Sequence, residues 1–139
     1  MKTTTNDLIE ELKNTVDINA FFTKHEQDFS NRTTVDYLNE LIGIKNLTIS
    51  KIAKNSGIGD YLYKVFSGDR NPSRDVLIAV SFGMSLSLDE TQLLLRIAKF
   101  AILDSRDKRD GIIIYSIIHR MSIFETDDLL NENNFTTLI

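Results

Sequence analysis

An all-α fold is what this 139-residue sequence predicts. Three observations carry that expectation. A single proline and six glycines leave few breaks, which favours long helices over many short strands. Apolar residues recur at helical spacing behind Ser and Thr positions that suit helix N-termini. One helical hairpin is written twice, 35 residues apart.

Taken in order, Leu8, Ile9 and Leu12 share one face of a helix over 6–15, with Asn6 as its cap. A second short helix from Asp17 to about His25 would bury Ile18, Phe21 and Phe22. This arm, 1–32, reads as a helical lid over part of the core, or as a dimerisation or partner arm. A polar break at Asn31–Thr34 precedes a helix to Lys45 with Val35, Leu38, Leu41, Ile42 and Tyr37 on its stripe. Asn46 can stop it in the left-handed conformation. Thr48 caps a short helix with Ile52 and Ala53 inward. Gly57 sits where a tight turn needs positive φ, and Ile58 plugs the angle. A helix over 59–67 buries Leu62 and Val65, with Phe66 as a partial contact, before Gly68 stops it. After the polar loop Asp69-Arg70-Asn71-Pro72, Ser73 caps a helix over 74–83 ended by Gly83. The capping box Ser87-x-x-Glu90 opens a helix over 88–103, apolar nearly all round and expected to be the central strut.

The repeat follows. Residues 74–95 and 109–130 are identical at nine of 22 positions, among them Arg74/Arg109, Asp75/Asp110, Ser87/Ser122 and Glu90/Glu125. Helices over 109–119 and 123–131 therefore copy the preceding pair, and each hairpin has an apolar face for the next to cover. The β-branched run from Ile112 to Ile118 could be read as a strand, but its counterpart begins as a helix. The tail 131–139 could fray, or dock through Phe135, Leu138 and Ile139. The expected organisation is an arm over 1–32, a helical domain over 33–103 and a hairpin over 104–139 packed on the same core.

Composition narrows the function classes. At 42% hydrophobic residues the chain can build a core. No apolar run is long enough to span a bilayer, and MKTTTNDLIEELK lacks a signal peptide's apolar centre. Without cysteine there is no disulfide framework, and a cytoplasmic location is expected. The net charge of −4 divides as −2 over 1–32, +1 over 33–75 and −3 over 76–139. Binding to random nucleic acid should therefore be weak. No nucleophile–base set, metal-ligand cluster or glycine-rich phosphate loop is present, so neither catalytic residues, a metal nor a cofactor is expected. His25 and His119 are isolated, and Asp104–Asp110 reads as a solvated mixed-charge loop.

Leu47 to Asp75 has the outline of a helix-turn-helix: two short helices, a tight turn, then a polar loop. The residues LTISKIAKNSGI and FSGDRNPSRDVLIAVSFGMSLS resemble the second helix, turn, glycine stop and fourth helix of the lambda-repressor-like, XRE-type family of bacterial and phage regulators. The resemblance covers about 33–102. It implies a lambda-repressor-like bundle that binds duplex DNA, with the helix 59–67 docked in the major groove. Lys51, Lys54, Arg70 and Arg74 would hold phosphates, Asn71 and Asp69 would lie in the loop facing them, and Gly59, Asp60, Tyr63 and Lys64 would face bases. Ile49 stands where the family often has glutamine, and the stretch from Ile58 to Gly68 is one residue shorter than usual. A homodimer on two half-sites is expected. The alternative is the same fold used as a protein-interaction module or inhibitor with weak or no DNA binding. Its motives are the acidic charge and the aromatics Tyr61, Tyr63 and Phe66.

Overall fold

The computed structural model describes residues 4–25 and 32–139. Among them are nine helices and no strand. None of these helices is long and apolar enough to cross a membrane. The chain divides into two compact units, Met1–Arg32 and Thr33–Ile139. The polar break expected at Asn31–Thr34 begins outside the described residues.

In the first unit, α1 (Thr5–Lys13) is capped by Thr4, not Asn6: the Thr4 hydroxyl accepts from the Asp7 N–H. Asp17 caps α2 (Ile18–Lys24) by accepting from the Asn19 N–H at 3.0 Å. Lys24 and His25 both reach the Glu11 carboxylate. Among the described residues of this unit only Phe21 is buried; Ile9, Leu12, Ile18 and Phe22 stay exposed, against expectation for the last two. Two short helices have too little facing surface to enclose six apolar side chains.

The second unit is built around α6. α3 (Thr34–Lys45) starts at a capping box formed by Thr33 and Asp36 and ends at Asn46, φ 55°. α4 (Ile49–Ser56) is capped by Thr48, and α5 (Tyr61–Ser67) follows a turn of two positive-φ glycines, Gly57 and Gly59. Then come α6 (Arg74–Gly83), α7 (Leu88–Ile97), α8 (Lys108–Ile118) and α9 (Ile123–Glu132). α6 packs against α4 on one side and against α7 and α9 on others. Leu77, Ile78, Ala79 and Val80 on four successive positions of α6 are completely buried. Consecutive buried residues point in all directions round a helix, so α6 must be enclosed.

The central strut is therefore α6, not the helix from 88. α7 stops at Ile97 because Lys99 turns left-handed, φ 64°, and the Phe100 N–H closes back on the Leu95 carbonyl. Residues 100–103 then return along the hairpin. Gln92 clamps the return by exchanging two hydrogen bonds with the Leu103 backbone, at 2.9 and 2.8 Å. This return explains an apolar pattern that goes all round when read as one helix: Phe100 and Leu103 pack from an extended segment.

Gly83 is needed for proximity rather than for stopping α6. A Cβ there would lie 2.8 Å from the Ile52 carbonyl oxygen and 3.0 Å from the Ser56 nitrogen. The positive φ that turns the chain falls two residues later, at Ser85. Along this contact α4 presents Ala53 and Ser56, both buried.

The repeat is longer than its identities suggest. Left-handed residues Ser85 and Lys99 recur as Arg120 and Asn134. The clamp of Gln92 on Leu103 recurs as Asp127 accepting from the Leu138 N–H at 2.7 Å. This docks the tail, burying Leu138. Most distinctively, the two Arg-Asp pairs are exchanged. Arg74 donates to both Asp110 oxygens, at 3.2 and 2.9 Å, and Arg109 to both Asp75 oxygens, each at 3.1 Å. Each arginine also donates to the return of its own copy, Nε reaching Ala101 O and Thr136 O at 2.9 Å.

Capping boxes at Ser87/Glu90 and Ser122/Glu125 open α7 and α9. Burial pushes the Glu90 carboxyl up, but the Ser87 N–H and Lys45 Nζ, 3.1 Å away, outweigh it, and its pKa is lowered. The Ser122 N–H lowers that of Glu125.

Two measurements test these assignments. Gly83→Ala gains helix propensity of about 1 kcal/mol but collides with backbone that cannot rotate away. It should lower unfolding free energy by about 1–2 kcal/mol net. Gly43→Ala in α3, where an added Cβ meets nothing within 4 Å, should be neutral or stabilising in the same denaturant titration. A stable Gly83→Ala would refute the close approach. For acid stability, a depressed folded-state pKa gives stabilisation that is present above the unfolded value of about 4.3 and lost as pH falls through the folded value. Glu90→Gln should thus be less stable than wild type at pH about 7, with the gap closing at pH about 3 in thermal melts.

Candidate nucleic-acid interface

The surface that runs from α4 through α5 to the following loop is set by a strict division of side chains. Ile52, Ala53 and Ser56 turn α4 inward, leaving Lys51, Lys54 and Asn55 outside. The turn is closed by the Gly59 N–H donating to the Ala53 carbonyl at 3.2 Å and by the Ser56 hydroxyl accepting from Ile58 at 3.4 Å. Ile58 is half-buried against the core, as its plugging role requires. Leu62, Val65 and Phe66 anchor α5, with Phe66 fully in the core rather than a partial contact. Tyr61, Tyr63, Lys64 and Ser67 are left outside.

α5 starts at Tyr61, two residues later than the sequence suggests, because Gly59 is left-handed, φ 75°. Asp60 stands at its N-cap, exposed, without a side-chain cap bond. An acid there favours the helix dipole. Gly68, φ 85°, ends α5, and the Arg70 N–H returns to the Lys64 carbonyl at 3.2 Å. That bond holds the exposed loop Asp69-Arg70-Asn71 beside the last turn of α5. Tyr63, 49% exposed, and Lys64 thus belong to the outer face of α5, with Asp60 before it and Arg70 and Asn71 after it.

The electrostatics separate two kinds of cation. Lys51, Lys54, Lys64 and Arg70 are exposed and make no ion pair with the described residues, while Asp60 and Asp69 are the acids of the same stretch. Arg74 differs. Its guanidinium is spent on Asp110, Ala101 and Ile102, and its side chain is 24% exposed. Arg74, expected from the resemblance to hold a phosphate, takes a place in the hairpin junction. The signal was present in the sequence, as an Arg-Asp dipeptide repeated at the same offset as the hairpins. Ile49, at the first position of α4, packs half-buried against the core.

A contact missed from sequence touches the turn. A Cβ on Gly57 would meet Ile139 Cδ1 and, at 3.4 Å, Phe124. Residues from α9 and the tail therefore pack against the α4–α5 turn, held there by Asp127, whose two oxygens accept from the Leu138 and Ile139 N–H groups. No group of three or more His, Asp or Glu among the described residues is placed to hold a metal ion. Comparison with protein-family models, with curated proteins and with solved structures returns no match.

The different surroundings of the two arginines lead to a test. Asp110 is 10% exposed, so Arg74→Ala strands a buried carboxylate and should cost about 3 kcal/mol. Asp75 is 37% exposed and water can replace Arg109, so Arg109→Ala should cost about 1 kcal/mol or less. Equal losses in urea unfolding would contradict this asymmetry.

Proposed function

We propose that the chain is a DNA-binding transcriptional regulator of bacterial or phage type, with α4 and α5 acting as a helix-turn-helix of the XRE kind. The observation that carries this reading is the exposed outer side of α5 with four nearby cations, Lys51, Lys54, Lys64 and Arg70, that make no ion pair with the described residues, in a protein of net charge −4. Lys51, Lys54 and Arg70 would neutralise phosphates, and Tyr63 and Lys64 would face base edges. Asp60 can accept from a cytosine amino group and repels phosphates that come too near. Asn71 in the adjoining loop offers a neutral amide to a phosphate. With few cations, non-specific affinity is weak and the salt dependence is shallow. Cytoplasmic action and a homodimer on two half-sites complete the proposal.

One observation favours a second reading, a protein-interaction module. Tyr61 and Tyr63 are 38% and 49% exposed on the two flanks of the outward side of α5, and tyrosines concentrate at protein interfaces.

Selection of duplexes from a random pool, followed by titration at two salt concentrations, separates the readings. For the regulator, a selected duplex binds, Arg70→Ala weakens binding and reduces the salt slope by about 0.9, and Lys64→Ala weakens binding and relaxes the base preference. An unselective pool with no binding at about 50 mM salt would leave only the protein partner. Tyr63→Ala should then release that partner in a binding assay.

A further inference from the structure

We infer that the outer face of the second hairpin is an isologous dimer surface, covered by the same face of a second copy of this chain. The inference names the partner surface and does not rest on the DNA reading.

The repeat supplies the first argument, because each position of the second hairpin has a counterpart whose surroundings are known. In the first copy Leu77, Val80 and Leu94 are completely buried, and Gly83 is buried beneath α4. Val35 of α3 and Val65 of α5 line one small pocket together with Leu77 and Phe100. In the second copy the equivalents are Ile112, Tyr115, Leu129, Ile118 and Phe135. Tyr115 and Ile118 are 51% and 59% exposed. Ile112, Tyr115, Leu129 and Phe135 line a groove of about 520 Å³.

In a stack of hairpins each apolar face is covered by a neighbouring unit. Here the outward residues of the groove are isoleucine, tyrosine, leucine and phenylalanine. It is an open face of a kind that α3, α4 and α5 fill one repeat earlier.

Charge identifies the occupant. Lys108 lines the groove at the start of α8, exposed and outside any ion pair with the described residues. On α9, Asp128 and Glu132 each precede a groove residue, Leu129 and Asn133, and they too are exposed and outside any such pair. The α8 side of the groove thus carries a cation, and the α9 side carries two acids about 100° round the helix from Leu129 and Asn133, with a strip of apolar residues between. A two-fold axis through the strip sets the α8 edge of each copy against the α9 edge of the other. An isologous interface requires this self-complementarity.

The test is sedimentation of the 139-residue chain without DNA. Wild type should be dimeric at concentrations on the order of 100 µM. Tyr115→Glu should be monomeric with unchanged helical circular dichroism, since the side chain is exposed. Lys108→Glu makes both edges acidic, and the double variant Asp128→Lys/Glu132→Lys makes both basic. Each alone should be monomeric, and an equimolar mixture should form a heterodimer. A wild type that stays monomeric overturns the proposal. So does a dimer that survives Tyr115→Glu, or a mixture of the two charge variants that fails to associate.

Discussion

Burial of α6 on every side is the constraint from which the second unit follows. A helix whose Leu77, Ile78, Ala79 and Val80 are all fully buried has no solvent face. It must have partners in several directions at once. α4 meets it at Gly83, where no room exists for even a methyl group. α7 and α9 meet it elsewhere. Its first two residues, Arg74 and Asp75, cannot enter the core and instead reach across to the second hairpin.

That reach ties the candidate interface to the rest of the unit. α4 is at once the helix that lies on Gly83 and the helix that presents Lys51 and Lys54. α5 hangs from α4 by a turn against which Ile139 and Phe124 rest. The second hairpin therefore supports the turn before the outward face of α5. Its junction with the first hairpin consists of two exchanged, bidentate Arg–Asp pairs, the geometry in which planar guanidinium and carboxylate groups match best. The exchanged pairs also set the register of the two hairpins, because an arginine paired within its own copy would leave the junction without either bond.

The candidate interface and the open face of α8 and α9 differ in chemistry. One carries four cations without an ion pair among the described residues and two tyrosines around a short helix. The other is an apolar groove with opposite charges on its edges. The first is the face proposed for DNA and the second the face proposed for another copy of the chain.

The sequence by itself determined the all-α class, the bounds of most helices of the second unit but not the end of α7 at Ile97, and most caps. Ser73, Ser87 and Ser122 bond to N–H groups only three residues away, so the information is local. Gly57 and Asn46 likewise announce their left-handed turns in their own chemistry. The outward placement of Lys51, Lys54, Tyr63 and Lys64 was legible too, because helical periodicity divides faces once the inward residues are known. Tertiary structure decided the remainder. Arg74 has the same side chain whether it meets solvent or Asp110, and its partner is 36 residues away. Lys99 carries no left-handed signature of its own; the clamp of Gln92 on Leu103 fixes the return that ends α7. Gly83 reads as a helix stop until α4 is laid against it. In each case the deciding energy is a contact between distant parts of the chain, and periodicity and propensity carry no information about such contacts.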